Sequence, residues 1–409
     1  GMVSTLSNEA LTWETTTSTD VGLELGVFNN RLTFETDFYN KVTDGILYKA
    51  PVYATIGNKG APYQNLCEVT HRGEELSLGW KDDVKGFHYG VRGNFTYNHN
   101  VVSKYKGALE AGWVTDENGH RSYVSNIGDV TTVVDGARRV MEGKLINEHY
   151  LLNLYSGDGS HFFADGSVNP NGGPKDGMIR TPEDMAWLEA MANAGNTFLP
   201  NKTIDKKGIW YGDYIYADVN GDGVYGDAND YMFQGTSQTP KFYYGLQFEL
   251  GWKGIDLSML WNGAGGSAAY WRYVGFNAYS TLSKFTLPKK IAYDHYFYDP
   301  MNPEDPRTNI TSKHGRLTMN YGSEQNGANA YSTLFLYKTD YLRLKNVTLG
   351  YTFPEKWMRK AHISNLRVFF SGENLLTFTE WPGMDPEITD KQNYYALLRQ
   401  YSFGLSIKF

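Results

Sequence analysis

The segment Asp218-Val219-Asn220-Gly221-Asp222-Gly223-Val224-Tyr225 has the spacing that comes nearest to chemistry. Oxygen-bearing side chains stand at its first, third and fifth positions and glycine at its sixth. That is the opening half of a calcium loop, in which alternate residues turn carboxylate or amide oxygens toward one hard cation. The closing half departs from the pattern: Asn229 stands where such loops carry a bidentate Glu, and the nearby carboxylates fall at Asp227 and Asp230. Two readings follow. One is a structural calcium ion held by Asp218, Asn220, Asp222 and the carbonyl of Val224; the other is an Asp/Asn/Gly-rich turn without metal.

Catalysis has no visible seat. The carboxylate neighbours Glu74-Glu75 and Asp82-Asp83 point to opposite faces if they lie on strands, so neither pair converges on one substrate bond. The 9 His residues show no metalloprotease spacing, and no nucleophile elbow, P-loop or dinucleotide fingerprint occurs. A single Cys, Cys67, excludes an intrachain disulfide and a cysteine-based zinc site. A net charge of -7 without basic clusters argues against a nucleic-acid partner. No cofactor for catalysis is expected.

Aromatic residues make up 15% of the chain, and they cluster. Trp210 and Tyr211 stand near Tyr214 and Tyr216; Tyr270, Trp271, Tyr273 and Phe276 form a second group; Tyr293, Tyr296, Phe297 and Tyr298 a third. Aromatic faces stack on sugar rings and pack on partner proteins, while their polar tips tolerate water. Trp210, Tyr214, Tyr270, Trp271 and Tyr273 are therefore candidate ligand contacts, with an interfacial aromatic girdle as the other reading of these clusters.

The elements that position these groups read as strands. In Tyr401-Ser402-Phe403-Gly404-Leu405-Ser406-Ile407-Lys408-Phe409 large apolar residues alternate with small or charged ones. The same period of two runs through Val21 to Val27, Phe87 to Tyr97, Phe242 to Trp252 and Ile255 to Trp261. A half-buried soluble sheet alternates identically, but the links between strands discriminate. Short links near 28–30, 81–86, 253–254 and 355–364 alternate with long ones at about 50–66, 105–238, 272–330 and 379–396. Outer-membrane barrels have tight turns at one end and extended loops at the other, whereas compact soluble sheets rarely need such loops.

Nine strands are predicted, at about 11–27, 31–49, 67–81, 87–104, 239–252, 255–271, 331–353, 365–378 and 397–409. The expected fold is all-β: an antiparallel transmembrane barrel portion with long extracellular loops. An odd strand number does not close a bacterial barrel, so residues 1–409 are expected to be the later part of a longer chain. No charged stretch followed by an apolar run opens the sequence, so no signal peptide is expected in these residues. Within the longest loop, Thr181 can cap a short helix beginning at Pro182, with Met185, Trp187, Leu188 and Met191 on one face.

The segments LTWETTTSTDVGLELGVFNNRLTFETDFYN at 11–40, RGEELSLGW at 72–80, DVNGDG at 218–223 and PKFYYGLQFELGWKGIDLSMLWNG at 240–263 resemble the SusC/RagA-type TonB-dependent transporters. So do YLRLKNVTLGYTFP at 341–354 and FFSGENLLTFTEWPGMDPE at 369–387. The resemblance implies a barrel of about 22 strands, plugged by an N-terminal domain. Neither that plug nor a TonB box is present in 1–409. The departure after DVNGDG puts the family's cation site in question here.

The resemblance further implies the outer membrane of a Bacteroidetes-like Gram-negative cell and a SusD-like surface lipoprotein as partner. TonB would act through the absent N-terminal part, and the cargo would be an oligosaccharide or a peptide. Tyr401, Phe403 and Phe409 resemble the aromatic signal read during barrel insertion. A soluble or surface-attached glycan-binding β-protein is the alternative from another class.

Overall fold

Nine long strands pair in strict chain order into one antiparallel sheet. They are β1 (Thr15–Val27), β2 (Leu32–Lys49), β3 (Tyr63–Val84), β4 (Phe87–Lys104), β5 (Phe242–Trp252), β6 (Ile255–Gly265), β7 (Tyr341–Thr352), β8 (Asn365–Thr379) and β9 (Gln400–Lys408). The computed structural model describes residues 8–49, 62–272, 289–318, 325–326, 330–389, 395 and 397–409. The sheet is an open partial barrel, and its end strands are β1 and β9.

The register shows what the alternation does. One row crosses all nine strands as Val27, Leu32, Trp80, Val91, Phe248, Met259, Val347, Gly372 and Tyr401. A neighbouring row reads Lys81, Gly90, Glu249, Ser258, Thr348, Ser371 and Ser402. Because successive side chains alternate between faces, the first row is the apolar face and the second the polar one. The apolar residues are not sealed between two sheets: Leu23 is 51% exposed and Leu405 61%. A soluble sandwich, whose apolar faces pack into a dry core, is thereby excluded.

Consecutive antiparallel strands reverse direction, so the short links share one end of the sheet and the long ones the other. The short links have the backbone that tight turns need. Lys85-Gly86 and Lys253-Gly254 both have positive φ at each residue, the two-residue hairpin geometry whose twist suits antiparallel strands. Phe28, Asn29 and Asn30 are all left-handed as well. The fourth short link carries a helical turn at Glu355–Met358 and closes on left-handed His362.

Two predicted strands are shorter than expected. The sequence suggests one strand over 255–271 and another over 331–353, but β6 stops at Gly265 and β7 begins at Tyr341. Gly266 takes a positive φ and donates its N–H to Asp340 Oδ1 at 2.9 Å, which turns the chain out of the sheet. Ala268–Tyr270 then pairs separately with Leu336–Lys338. Alternation continues across this break, so periodicity alone does not reveal it.

The described residues of the long links after β4 and β8 pack against the strand tops. Cys67, Val69 and Val102 at the strand tops are sealed by Val140 from the 105–241 link, with Ile46, Tyr48, Tyr105 and Ile146 around them. The link after β8 is tied down by charge. Arg343, on β7 beside an irregularity in the ladder, has no exposed surface; it pairs with Asp385 at 2.8 Å and with Glu387. Its Nε donates to Thr377 at 3.1 Å, and the Tyr341 hydroxyl donates to Glu387 at 2.7 Å. Trp381 lies buried against Trp271, 5.3 Å between ring centroids.

A buried ion pair is costly to break from one side, because the remaining charge is left without a partner. Arg343→Met in the intact parent is expected to destabilise the seating of residues 380–389 by about 3–5 kcal/mol, read as protease cleavage in that link with the sheet intact. Adding Asp385→Leu and Glu387→Met should restore most of the resistance. Equal protease resistance of the single variant and the unmodified protein would refute the clamp.

Candidate functional site

The 105–241 and 266–340 links fold on each other as a platform with its own core. Met178, Ile179, Met185, Trp187, Leu188, Met191, Ile209 and Ile215 are buried together with Tyr155, Phe198, Tyr214 and Tyr296. The expected helix is there as α1 (Pro182–Asn193), with Pro at its first position. Thr181 Oγ1 accepts the Asp184 N–H and the Asp184 carboxylate accepts the Thr181 N–H, a reciprocal cap that satisfies two otherwise free donors. The face bearing Met185, Trp187, Leu188 and Met191 packs inward, and Trp187 donates its indole N–H to the Asn169 carbonyl at 2.8 Å. The helix is a packed strut.

Two side-chain amides bind the platform's segments together. Asn326 accepts the Tyr214 N–H at 3.1 Å and donates to the Tyr214 carbonyl at 3.1 Å, standing in for a neighbouring strand. Gln325 likewise donates to the Leu199 carbonyl at 2.8 Å and accepts the Asn201 N–H. Both are buried. Buried backbone groups need partners, and these amides supply them where no ladder exists.

The aromatic candidates separate. Tyr214 fills the core: its hydroxyl donates to the Lys313 carbonyl at 2.7 Å, and burial raises its pKa. It presents no face to a ligand. Tyr216 is buried too, donating to the Gln325 carbonyl. Tyr270 packs on Tyr331 and Phe335, and Trp271 on Trp381. Tyr273 lies outside the described residues. Trp210 lines a cleft, formed where the two links meet.

That cleft has a volume of about 880 Å³. Trp210, Tyr211, Tyr293, Phe297 and Tyr298 line it, and Tyr211 stands edge-on between Trp210 and Tyr298, at 5.2 and 5.0 Å. Lys206, His295, Arg307, Arg316, Thr308 and Asn309 supply its polar groups; among the described residues no carboxylate lines it. Arg316 is held from behind by buried Asp213. Arg307 lies over the Phe297 ring at 4.5 Å and is gripped by Asp305 through two hydrogen bonds. That contact pulls the Asp305 carboxyl down to about 2, so the pair persists throughout the neutral range.

The Asp218 loop is ordered by its own carboxylates. Asp218 accepts N–H groups from Gly221, Asp222 and Gly223, and Asp222 accepts that of Val224. The Asn220 carbonyl accepts the indole N–H of Trp113 at 2.9 Å, so the hairpin of Ala111–Thr115 and Arg121–Ser125 leans on this loop. Asp230 has its oxygens committed to the N–H groups of Val219, Gly226 and Asp227. Burial pushes its carboxyl up to about 6 against the pull of those amides. The donors left for a hard cation are two carboxylates, one amide and the Val224 carbonyl. Among the described residues no group of three or more His, Cys, Asp or Glu side chains gathers in a metal-binding arrangement.

On the polar face of the sheet, Glu35, Asp37, Glu75, Ser77, Arg92 and Asn94 border a recess of about 420 Å³. One terminal nitrogen of Arg92 donates to both Glu35 oxygens, at 3.0 and 3.2 Å, and its Nε donates to Ser77. Glu74 and Glu75 point to opposite faces, as their adjacency on a strand requires. Tyr401 and Phe403 project from β9, Phe403 84% exposed, and Phe409 follows the strand. Sequence reasoning missed the Arg343 clamp and the Arg307–Asp305 pair; the signal available for Arg343 was a charge inside the alternating run of β7.

Residues 1–170 match the family described as "TonB dependent receptor-like, beta-barrel". TonB-dependent receptor P3 of Formosa agariphila is 24% identical over 98% of this chain and 35% of its own length. Receptor P39 of the same organism is 26% identical over 95% of this chain and 34% of its own. TonB-dependent receptor SusC of Bacteroides thetaiotaomicron is 21% identical over 98% and 32%. The chain spans about a third of the length of these curated relatives. In three dimensions it is similar to the RagAB peptide transporter, with a TM-score of 0.64 and 22% identity over 98% of this chain and 36% of that one. The RagAB peptide importer in the open-open state gives 0.66 and 21%. With nine antiparallel strands, an apolar face, a platform of long links at one end and a TonB-dependent receptor-like match over residues 1–170, this chain is a β-barrel portion similar along nearly all of its length to the outer-membrane receptors of the SusC/RagA type.

Proposed function

We propose that the intact parent imports an oligomeric nutrient, a glycan or a peptide, across the outer membrane, and does no chemistry on it. The observation that carries this is the pairing of an apolar nine-strand row with a polar one beside it. A wall so built separates lipid from a wet interior. In this reading residues 1–409 are the later barrel strands and their extracellular loops. The plug and the TonB-binding segment belong to the rest of the parent, and a SusD-like lipoprotein covers the platform.

Cells lacking the parent should lose uptake of at least one labelled oligosaccharide or oligopeptide pool, and a protonophore should abolish that uptake in cells that have it. Undiminished uptake of every pool in the deletant would overturn the reading.

Within the platform we further propose that Asp218, Asn220, Asp222 and the Val224 carbonyl hold a structural calcium ion, with water completing the shell. Calcium should then slow protease cleavage around residues 105–241 in the unmodified protein and have no effect in Asp222→Ala. Equal cleavage of the unmodified protein with and without calcium would remove the ion.

We propose Tyr401, Phe403 and Phe409 as an assembly signal, supported by the exposure of all three aromatic side chains on the last strand and at the residue after it. Deleting Phe409 from the parent should lower its abundance at the cell surface; unchanged abundance would count against the signal.

A further inference from the structure

We infer that the cleft between the two platform links is a saccharide-binding subsite that prefers oligosaccharides carrying carboxylate or sulfate groups. The inference deepens the import reading and depends on it only for the subsite's role in capture; binding itself stands on the cleft. A pyranose ring has an apolar face of C–H groups and a rim of hydroxyls, so it asks for flat rings flanked by hydrogen-bonding side chains. The cleft provides this. Trp210, Phe297 and Tyr298 are partly exposed and Tyr293 is 84% exposed, while His295, Thr308 and Asn309 stand among them.

The charge is the second observation. The chain as a whole carries -7, yet the described residues lining this cleft include two arginines and a lysine and no carboxylate. The carboxylates that fix the arginines are themselves withdrawn: the Asp213 side chain is 5% exposed and that of Asp305 10%, whereas that of Arg307 is 71% exposed. Arg307 is thus held by Asp305 through Nε and one terminal nitrogen and lies over the Phe297 ring, which leaves its other terminal nitrogen for a ligand. Preorganisation of this kind lowers the ordering cost of binding, and a guanidinium edge suits a planar carboxylate or a sulfate.

A peptide is the less favoured occupant. Peptides captured in extended form add to an open strand edge. Here the backbone groups of Phe297 and Asn309 at the cleft are already bonded to each other, at 2.8 and 3.3 Å. Recognition is left to side chains.

The test uses detergent-solubilised intact parent. Its binding to oligogalacturonate, oligomannuronate and chondroitin sulfate tetrasaccharides is compared with maltotetraose, xylotetraose and tetraglutamate. At least one anionic saccharide should bind about tenfold more tightly than the neutral ones and the peptide, and added salt should erode the difference. Tyr293→Ala, an exposed position whose change leaves the fold intact, should weaken that saccharide about tenfold. Arg307→Gln should remove the preference for the anionic probe while neutral binding persists. Equal binding of neutral and anionic saccharides, preferential binding of tetraglutamate, or no binding of any saccharide would each overturn the inference. Lost binding in Tyr293→Ala with nutrient uptake intact would sink the capture role alone, and intact binding with no uptake defect in the parent deletant would sink the import reading alone.

Discussion

A backbone amide facing hydrocarbon has no water to donate to, so every strand that crosses a bilayer must be bonded along both edges. That single requirement fixes the sheet. Strands β2 to β8 each lie between two neighbours in unbroken chain order. With the ladder set, side chains have only two directions available, and the apolar row from Val27 to Tyr401 and its polar neighbour follow. The free edges of β1 and β9 carry the same requirement, and in the membrane further strands must cover them.

The constraint also explains particular glycines. A Cβ on Gly73 would lie 2.3 Å from the Tyr39 ring, and one on Gly404 would lie 2.1 Å from the Phe369 ring. In each pair the ring lies over the bare backbone of the adjoining strand, covering a ladder that has no side chain of its own there. Glycine in a strand interior weakens it. Here the aromatic neighbour supplies the contact that glycine omits.

Much of this was legible in the sequence, because a period of two is imposed residue by residue. All nine strands, the short links and the Thr181 cap can be read locally. What could not be read depends on partners far along the chain. Arg343 meets acids 42 and 44 residues later, and Asn326 serves a backbone 112 residues earlier. Tyr214 shows the same limit from the other side. Its position in an aromatic cluster marks it for a ligand, but only the fold brings the Lys313 carbonyl to its hydroxyl and turns it inward. Aromatic density by itself does not separate a core from a binding surface, since both use the same ring area.

Outside the hydrocarbon the platform meets the same demand for hydrogen bonds with different means, and this determines how it can move. It joins the wall at the strand tops: Val140 packs on Cys67 and Val102, the Val102 N–H donates to the Lys144 carbonyl, and the Val102 carbonyl accepts the Gly143 N–H, while at the root of the second link buried Ser267 bonds to Thr339 and Asp340 holds Gly266. These junctions are buried and polar or packed, and opening one leaves unpaired groups behind, at a cost of about 1–3 kcal/mol each. A platform so fastened is held at the roots of its links. Its cleft, walled by Trp210 from one link and Tyr298 from the other, is therefore shaped before any ligand arrives. Selectivity at such a cleft rests on fit to a preset surface, which is the condition under which a few rings and one fixed guanidinium can discriminate among similar ligands.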